Sequence, residues 1–360
     1  MPAIPLVDVK AQYAPLIPEL KEAFARALES GRFIFGPEVE GFEREAAEYL
    51  GVQQAIGVAN GTDALVLALD ALEIGPGDEV ICPAFTFFAT AEAIARRGAT
   101  PVFADIDAAT LNLDPAEVER VITAKTTAIV PVHLFGRPAP IEELRRFGLP
   151  LVEDAAQAFG SDGIATSVAS TFSFFPSKNL FALGDGGLIA CNDAELAERI
   201  RMLRFHGSRA KKDFEYVGYN SRLDAIQAAA LRIFLPHLDE WTRLRREAAA
   251  RYAELGLAEV VQLPRDEPGH VYHAYAVRSP ERDRLAAALG EAGIGHASHY
   301  TTPLHLQPAM RYLGYSEGDL PETEKAAREN LCLPIWGGIA REQQAEVADV
   351  LRRASSLVEA

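Results

Sequence analysis

Ala55-Ile-Gly-Val-Ala-Asn60-Gly61-Thr62-Asp63-Ala-Leu-Val-Leu-Ala-Leu69 runs from an apolar stretch through Asn-Gly-Thr-Asp straight into an amphipathic helical pattern. A strand that feeds a helix through a short permissive turn is the repeating unit of an α/β sheet. The unit recurs down the chain. Apolar runs at 55–59, 80–83, 100–104, 128–132, 149–153, 171–174 and 188–191 read as seven strands. Helical periodicity separates them at 62–72, 89–97, 115–122 and 140–147 and follows them at 193–205. The pattern predicts an α/β domain whose sheet is largely parallel and covered on both faces. Upstream, 18–30 and 37–50 read as helices, each with a proline near its first turn. Downstream, 223–235 and 236–252 read as two long amphipathic helices. Beyond about 256 come a strand near 273–277, a helix at 280–292, a strand near 295–299, a polar turn-rich stretch and a last helix at 341–357. The expected division is therefore a large α/β domain over 1–235 and a smaller α+β domain over 236–360.

Composition fits two globular domains: 360 residues, 49% hydrophobic and 24% charged. Lys and Arg number 35 against 51 acidic residues, a net charge of −16. That field repels a polyanion and argues against nucleic acid or an anionic membrane as partner, so any anion must be bound locally. Cys82, Cys191 and Cys332 lie in apolar segments without CxxC spacing and read as small core residues in a reducing compartment. Asp8 interrupts the first apolar stretch, and no apolar run reaches 18 residues, so a cytoplasmic protein is expected.

Three elements carry chemistry. The Asn60–Asp63 turn opens a helix whose free backbone N–H groups and positive dipole end suit a phosphate; alone it also reads as a capped βα junction. Leu149-Pro-Leu-Val-Glu153-Asp154-Ala-Ala-Gln157 is a buried-looking strand ending in two carboxylates. Ligands of open α/β sheets sit beyond such strand ends, where Asp154 could hold a cation; alone it also reads as a solvated acid. Thr171-Phe-Ser173-Phe-Phe-Pro-Ser177-Lys178-Asn179 places one lysine in an apolar loop between strands. Burial there would lower its pKa and make the amine a nucleophile toward a carbonyl. Together they supply handles for a phosphate, a ring nitrogen and an aldehyde, which are the three groups of pyridoxal 5′-phosphate. GxGxxG opening a helix, GxxxxGK[ST], HExxH and GxSxG are all absent.

The sequence resembles the DegT/DnrJ/EryC1/StrS family of pyridoxal-phosphate-dependent sugar-nucleotide aminotransferases. The resemblance rests on Asp8-Val-Lys-Ala-Gln12, Phe35-Gly-Pro-Glu-Val39, Asn60 to Leu65, Pro83 to Thr90, Pro131 to Gly136, Glu153 to Gln157, the Lys178 loop, Gly218 to Asp224 and Tyr300 to Pro308. It implies an aspartate-aminotransferase-like fold (fold type I), a mixed, mostly parallel seven-stranded sheet with a smaller α+β domain. It also implies roles. Lys178 would bind the cofactor as a Schiff base and then move protons, and Asp154 would pair with the pyridine nitrogen. Gln157 would lie near the ring, Phe87 would stack on it, and Gly61, Thr62 and Ser173 would hold the phosphate. Asn220, in the GxNxR stretch, would reach the phosphate of a second subunit, making a homodimer with shared active sites the minimal unit. Arg222, Tyr300 and His305 are candidate contacts for the substrate.

The implied reaction moves an amino group from an amino acid, L-glutamate, to a 3-keto or 4-keto 6-deoxyhexose on dTDP or UDP. The rivals are another pyridoxal-phosphate reaction and a non-catalytic regulatory or carbohydrate-binding relative. Sugar dehydratases of the family carry histidine where this chain has Lys178. Two further features read mostly as surface. Residues 201–251 hold 11 Lys/Arg against six acids, either a solvated helix face or a local attraction for a diphosphate. His296, His299 and His305 lack metal-ligand companions and spacing, so no metal site is expected.

Overall fold

The computed structural model describes residues 3–356. In chain order its helices are α1 (Val9–Tyr13), α2 (Ile17–Ser30), α3 (Pro37–Leu50), α4 (Gly61–Ala71), α5 (Ala89–Arg96), α6 (Pro115–Val121), α7 (Ile141–Leu144), α8 (Ala194–Leu203), α9 (Ala225–Phe234), α10 (Leu238–Glu254), α11 (Arg282–Glu291), α12 (Pro321–Glu329) and α13 (Arg341–Ser356). The strands are β1 (Gln54–Val58), β2 (Glu79–Pro83), β3 (Thr100–Ala104), β4 (Thr126–Ile129), β5 (Val152–Asp154), β6 (Ala169–Ser173), β7 (Gly187–Cys191), β8 (Tyr275–Arg278) and β9 (Asn330–Leu333).

Each of the seven expected strands forms within a few residues of its expected span. They pair as a four-stranded sheet, β1-β7-β6-β5, and a three-stranded sheet, β3-β2-β4. Two isolated parallel bridges, Ile129 with Leu151 and Val132 with Asp154, join the pieces into the running order β1-β7-β6-β5-β4-β2-β3. The β2–β3, β2–β4 and β5–β6 pairs are parallel, and β7 runs antiparallel to both neighbours. The sheet is thus less continuous than expected, because between β4 and β5 only single bridges form.

Helix α4 crosses the sheet with every residue from Ala64 to Ala71 buried. Its apolar side chains share a core with Ile56, Val58, Phe103 and Ile189, while Phe42, Phe172, Phe174, Phe181 and Phe234 fill the opposite side. Fully burying one such side chain contributes about 1.5–3 kcal/mol, which is why apolar runs so short suffice as strands. Turn chemistry sets the boundaries. Asn60 caps α4, Asp114 caps α6 and Asp193 caps α8 through side-chain oxygens, and α2 and α3 end on left-handed Gly31 and Gly51.

A second core gathers Ala248 and Tyr252 of α10, Leu285, Leu289, Leu331, Trp336, Val347 and Leu351. Ile4 joins it through a parallel bridge to Ile294. The region departs from expectation in two places. No strand forms at 295–299: Ala297 alone bridges Cys332 on the edge of β9 that faces away from β8, while the start of the segment turns to Ile4 through Ile294 and the Gly295 N–H. The stretch read as turn-rich contains α12 and β9. The expected end of the last helix at 357 lies outside the described residues. No described helix is long and apolar enough to cross a membrane.

Candidate active site

A cavity of about 840 Å³ opens where β1, β5 and β6 end, closed from the second core by His273, His299, Tyr300 and Ile335. It gathers Gly61, Thr62, Phe87, Asp154, Gln157, Ser173, Lys178 and Tyr300 on one wall surface. These eight are among the residues singled out from sequence.

Lys178 stands in the loop between β6 and β7. That loop is pinned by Phe174 N–H to Gly186 O (2.8 Å), Lys178 N–H to Phe175 O (2.8 Å) and Ala182 N–H to Phe174 O (2.7 Å). Its neighbour Asn179 ties the loop to the segment ahead of β8, donating to Val271 O at 2.9 Å, with its Oδ1 3.3 Å from His273 Nδ1. Burial lowers the Lys178 amine from its ordinary range to about 8, against the opposing pull of Asp154. His273 is held well below its ordinary range by burial and then by Lys178, so it is a neutral imidazole beside the amine.

Asp154 is the last residue of β5 and is 5% exposed. Thr90 donates to its Oδ2 at 2.7 Å and the Ala156 N–H to its Oδ1 at 3.2 Å. Burial raises its pKa, against the donors Thr90 and Ala156 and the charge of Lys178. A buried carboxylate at the edge of a cavity, beyond ion-pair distance of the Lys178 amine that acts on it, suits a protonated ring nitrogen.

Glu153 points the opposite way, as alternation along a strand requires. It is wholly buried and accepts from His133 Nε2 (2.9 Å) and from the N–H groups of Ala165 (2.9 Å), Thr166 (2.9 Å) and Ser167 (2.8 Å). His133 Nδ1 accepts the Ala139 N–H at 2.9 Å, so the proton sits on Nε2, facing the carboxylate. Burial opposes ionisation of Glu153, but these donors, His133 first, bring it down to about 2. The two adjacent acids therefore divide: Glu153 fixes structure while Asp154 faces the cavity.

At the other end, Asn60 Oδ1 accepts the Asp63 N–H at 2.8 Å and Asn60 O accepts that of Ala64 at 3.1 Å. The N–H groups of Gly61 and Thr62 are left free at the helix start, beside the Ser173 hydroxyl. Gln157 Oε1 accepts the Phe135 N–H at 2.7 Å, and its amide donates to the Tyr300 hydroxyl at 3.1 Å. Phe87 is 57% exposed and lies 6.2 Å from the Tyr300 ring. The residues present thus fit pyridoxal 5′-phosphate: two free amides and a hydroxyl for the phosphate, a carboxylate for the ring nitrogen, an amine for the aldehyde and an aromatic face.

Three expected residues lie elsewhere. Asn220 is exposed and outside this cavity. Arg222 lies 6.0 Å from the Phe205 ring, also outside. His305 is 1% exposed, pairs with Glu324 at 3.2 Å and does not line this cavity. The basic stretch is mostly consumed internally. Arg204 pairs with Glu43, Arg209 with Glu198, Arg232 with Glu38 and Glu45, and Arg243 with Glu240. No group of three or more metal-binding side chains occurs among the described residues. Sequence reading missed Thr86, Thr90 and His273, and weighed His299 only as a metal ligand. Only the i, i+4 spacing of the two threonines was a local signal.

Fold and site together define a pyridoxal-phosphate-dependent aminotransferase. Residues 16–352 match the model of the DegT/DnrJ/EryC1/StrS aminotransferase family, and the chain belongs to that family. It is 49% identical over 360 residues to a pleiotropic regulatory protein of Geobacillus stearothermophilus, covering 96% of this chain and 97% of the relative. It is 47% identical over 367 residues to the dTDP-3-amino-3,4,6-trideoxy-alpha-D-glucose transaminase of Streptomyces venezuelae, covering 98% and 96%. The solved structure of S. venezuelae DesV in complex with a ketimine intermediate superposes with a TM-score of 0.95 at 46% identity, over 99% of each chain.

Proposed function

We propose that this chain moves the amino group of L-glutamate to the 3-keto carbon of a 6-deoxyhexose carried on dTDP or UDP. The observation that carries the reading is the convergence of Lys178, Asp154 and the free Gly61 and Thr62 amides on one cavity. The name of the S. venezuelae relative supports the sugar-nucleotide acceptor and the 3-position.

The cofactor, when bound, supplies an aldehyde and an electron-withdrawing ring that stores the amino group between two half-reactions. This chain's residues do the rest. The free Gly61 and Thr62 amides and the Ser173 hydroxyl anchor the phosphate. Asp154 holds the ring-nitrogen proton and so keeps the ring electron-poor. The Lys178 amine, lowered to about 8, exists partly as free base near neutrality and can take a proton from the substrate carbon and return it nearby. Gln157 and Tyr300 brace the wall above Asp154 and close the cavity toward the second core.

The active unit is a homodimer in which Asn220 enters the partner's cavity. Its exposure, outside the cavity of its own chain, supports this, as do exposed Phe33, Ile34 and Phe214, apolar groups that a second copy would cover. Three free, buried cysteines support a reducing, cytoplasmic setting. The test is a half-reaction: the pyridoxal-phosphate-loaded protein should lose its visible absorbance with L-glutamate and regain it with a dTDP- or UDP-linked 3-keto sugar. Recovery with neither sugar nucleotide would overturn the acceptor.

A further inference from the structure

The Asp154 carboxylate does not stand alone. Thr90, fully buried at the start of α5, donates its hydroxyl to Asp154 Oδ2 at 2.7 Å. Thr86 lies one helical turn earlier, in the loop after β2, and its hydroxyl is 3.1 Å from that of Thr90. An ionised carboxylate only accepts, so the single Thr90 proton must point at Asp154. The Thr90 oxygen then accepts from Thr86, and the pair becomes a chain of two hydroxyls polarised toward the acid. Thr86 lies on the cavity wall, whereas Thr90 does not. The sheet explains the reach: Asp154 bridges Val132 just past β4, and β4 pairs with β2, so the loop from β2 into α5 runs two strands from the acid.

We propose that Thr90, backed by Thr86, is a positioning residue that aims the Asp154 carboxylate at the cofactor's ring nitrogen. With Oδ2 engaged by Thr90 and Oδ1 by the Ala156 amide, the plane of the carboxylate is fixed on both sides, and its remaining lone pairs face the cavity. The proposal rests on the reading of Asp154 as the partner of the ring nitrogen. The ionisable groups facing Asp154 from the packed elements are Lys178, His133, Cys82 and Tyr300. Both His133 ring nitrogens are engaged, by Glu153 and the Ala139 N–H, and Cys82 is a buried thiol, so neither replaces the hydroxyl donor.

The experiment titrates cofactor-free protein with pyridoxal 5′-phosphate and records the absorbance of the bound cofactor against pH. Thr90→Val keeps the shape and removes the donor; it should weaken binding about tenfold, the scale of a hydrogen bond to a charged group, and shift the pH midpoint of the absorbance. Thr90→Ser should restore both. Thr86→Val removes only the outer link, serves if Thr90→Val does not fold, and should weaken binding about two- to threefold by loss of one neutral hydrogen bond. Wild-type affinity and midpoint in Thr90→Val would overturn the proposal. So would a serine variant as impaired as valine, or an unaltered Thr86→Val. Asp154→Asn separates the two readings. If it binds and absorbs as wild type, the ring-nitrogen reading fails; if it is impaired while Thr90→Val is not, only the positioning role fails.

Discussion

A Cβ placed on Gly61 would stand 2.7 Å from the Cβ of Ser173, closer than real methyl contacts allow. The helix start and the end of β6 thus approach across a space that only a glycine leaves open, next to the free amides expected to hold a phosphate. Gly61→Ala should therefore weaken pyridoxal-phosphate binding about tenfold, the effect of losing one charge-assisted contact, with only a few degrees' change in Tm. At Gly187 the added carbon would meet the Asn60 carbonyl oxygen at less than contact distance, a backbone atom that cannot swing away. Gly187→Ala should cost about 1–3 kcal/mol of stability as overpacking. Melting curves and cofactor titrations of the two variants distinguish site from scaffold.

The Lys178 amine attacks an aldehyde only as the free base. Burial sets its pKa at about 8, so the rate at which cofactor-free protein captures pyridoxal 5′-phosphate should rise with pH and level off above about 8. A free lysine would keep rising to about 10.4. Stopped-flow absorbance from pH 6 to 10 reads the midpoint, and one near 10 would show that the amine is solvated.

Glu153 and His133 form a second, purely structural testing ground. The Glu153 pKa of about 2 lies below that of a free glutamate, so its ionised form stabilises the fold. That contribution is fully present above about 4.3, the free value, and is lost as pH falls toward 2. Glu153→Ala leaves the buried His133 and Ala165 donors and the part-buried Thr166 and Ser167 amides without their acceptor and should cost about 3 kcal/mol at neutral pH. The variant should also show a flatter acid-denaturation curve than wild type over that window. Denaturant melts from pH 2 to 7 measure both.

Sharing of sites between subunits is checked by complementation. Lys178→Ala and Asn220→Ala should each be inactive. In a random mixture of the two, half the dimers are mixed, and each of those holds one intact site. Roughly a quarter of wild-type activity should return on mixing after reversible dissociation. No recovery would count against Asn220 acting in the partner's cavity.

The large sheet was legible because its signal is local. Each strand is an apolar run, turns such as 60–61, 97–98 and 192–193 carry Asn, Asp or Gly, and Asp154 ends β5 while Lys178 lies in the loop that follows β6, where α/β sheets put ligands. The second core was less so. The run at 295–299 has the alternation of a strand, yet its start pairs with Ile4 and only Ala297 reaches β9, a choice of partner decided by tertiary packing. His305 was drawn inward by Glu324, 19 residues downstream, a pairing no local pattern announces. Thr90 and His273 went unnoticed because their importance comes from what they touch, Asp154 and Asn179, which are 64 and 94 residues away.

Lys178, we propose, is the amine through which this chain binds and works its cofactor. The most direct measurement is the visible absorbance of purified protein loaded with pyridoxal 5′-phosphate, before and after L-glutamate, in wild type and Lys178→Ala. Wild type should be coloured and bleach with glutamate, while the variant shows only free cofactor and turns over at least about 10²-fold more slowly. A Lys178→Ala protein that keeps the wild-type band and bleaches at the wild-type rate would rule out that role for Lys178.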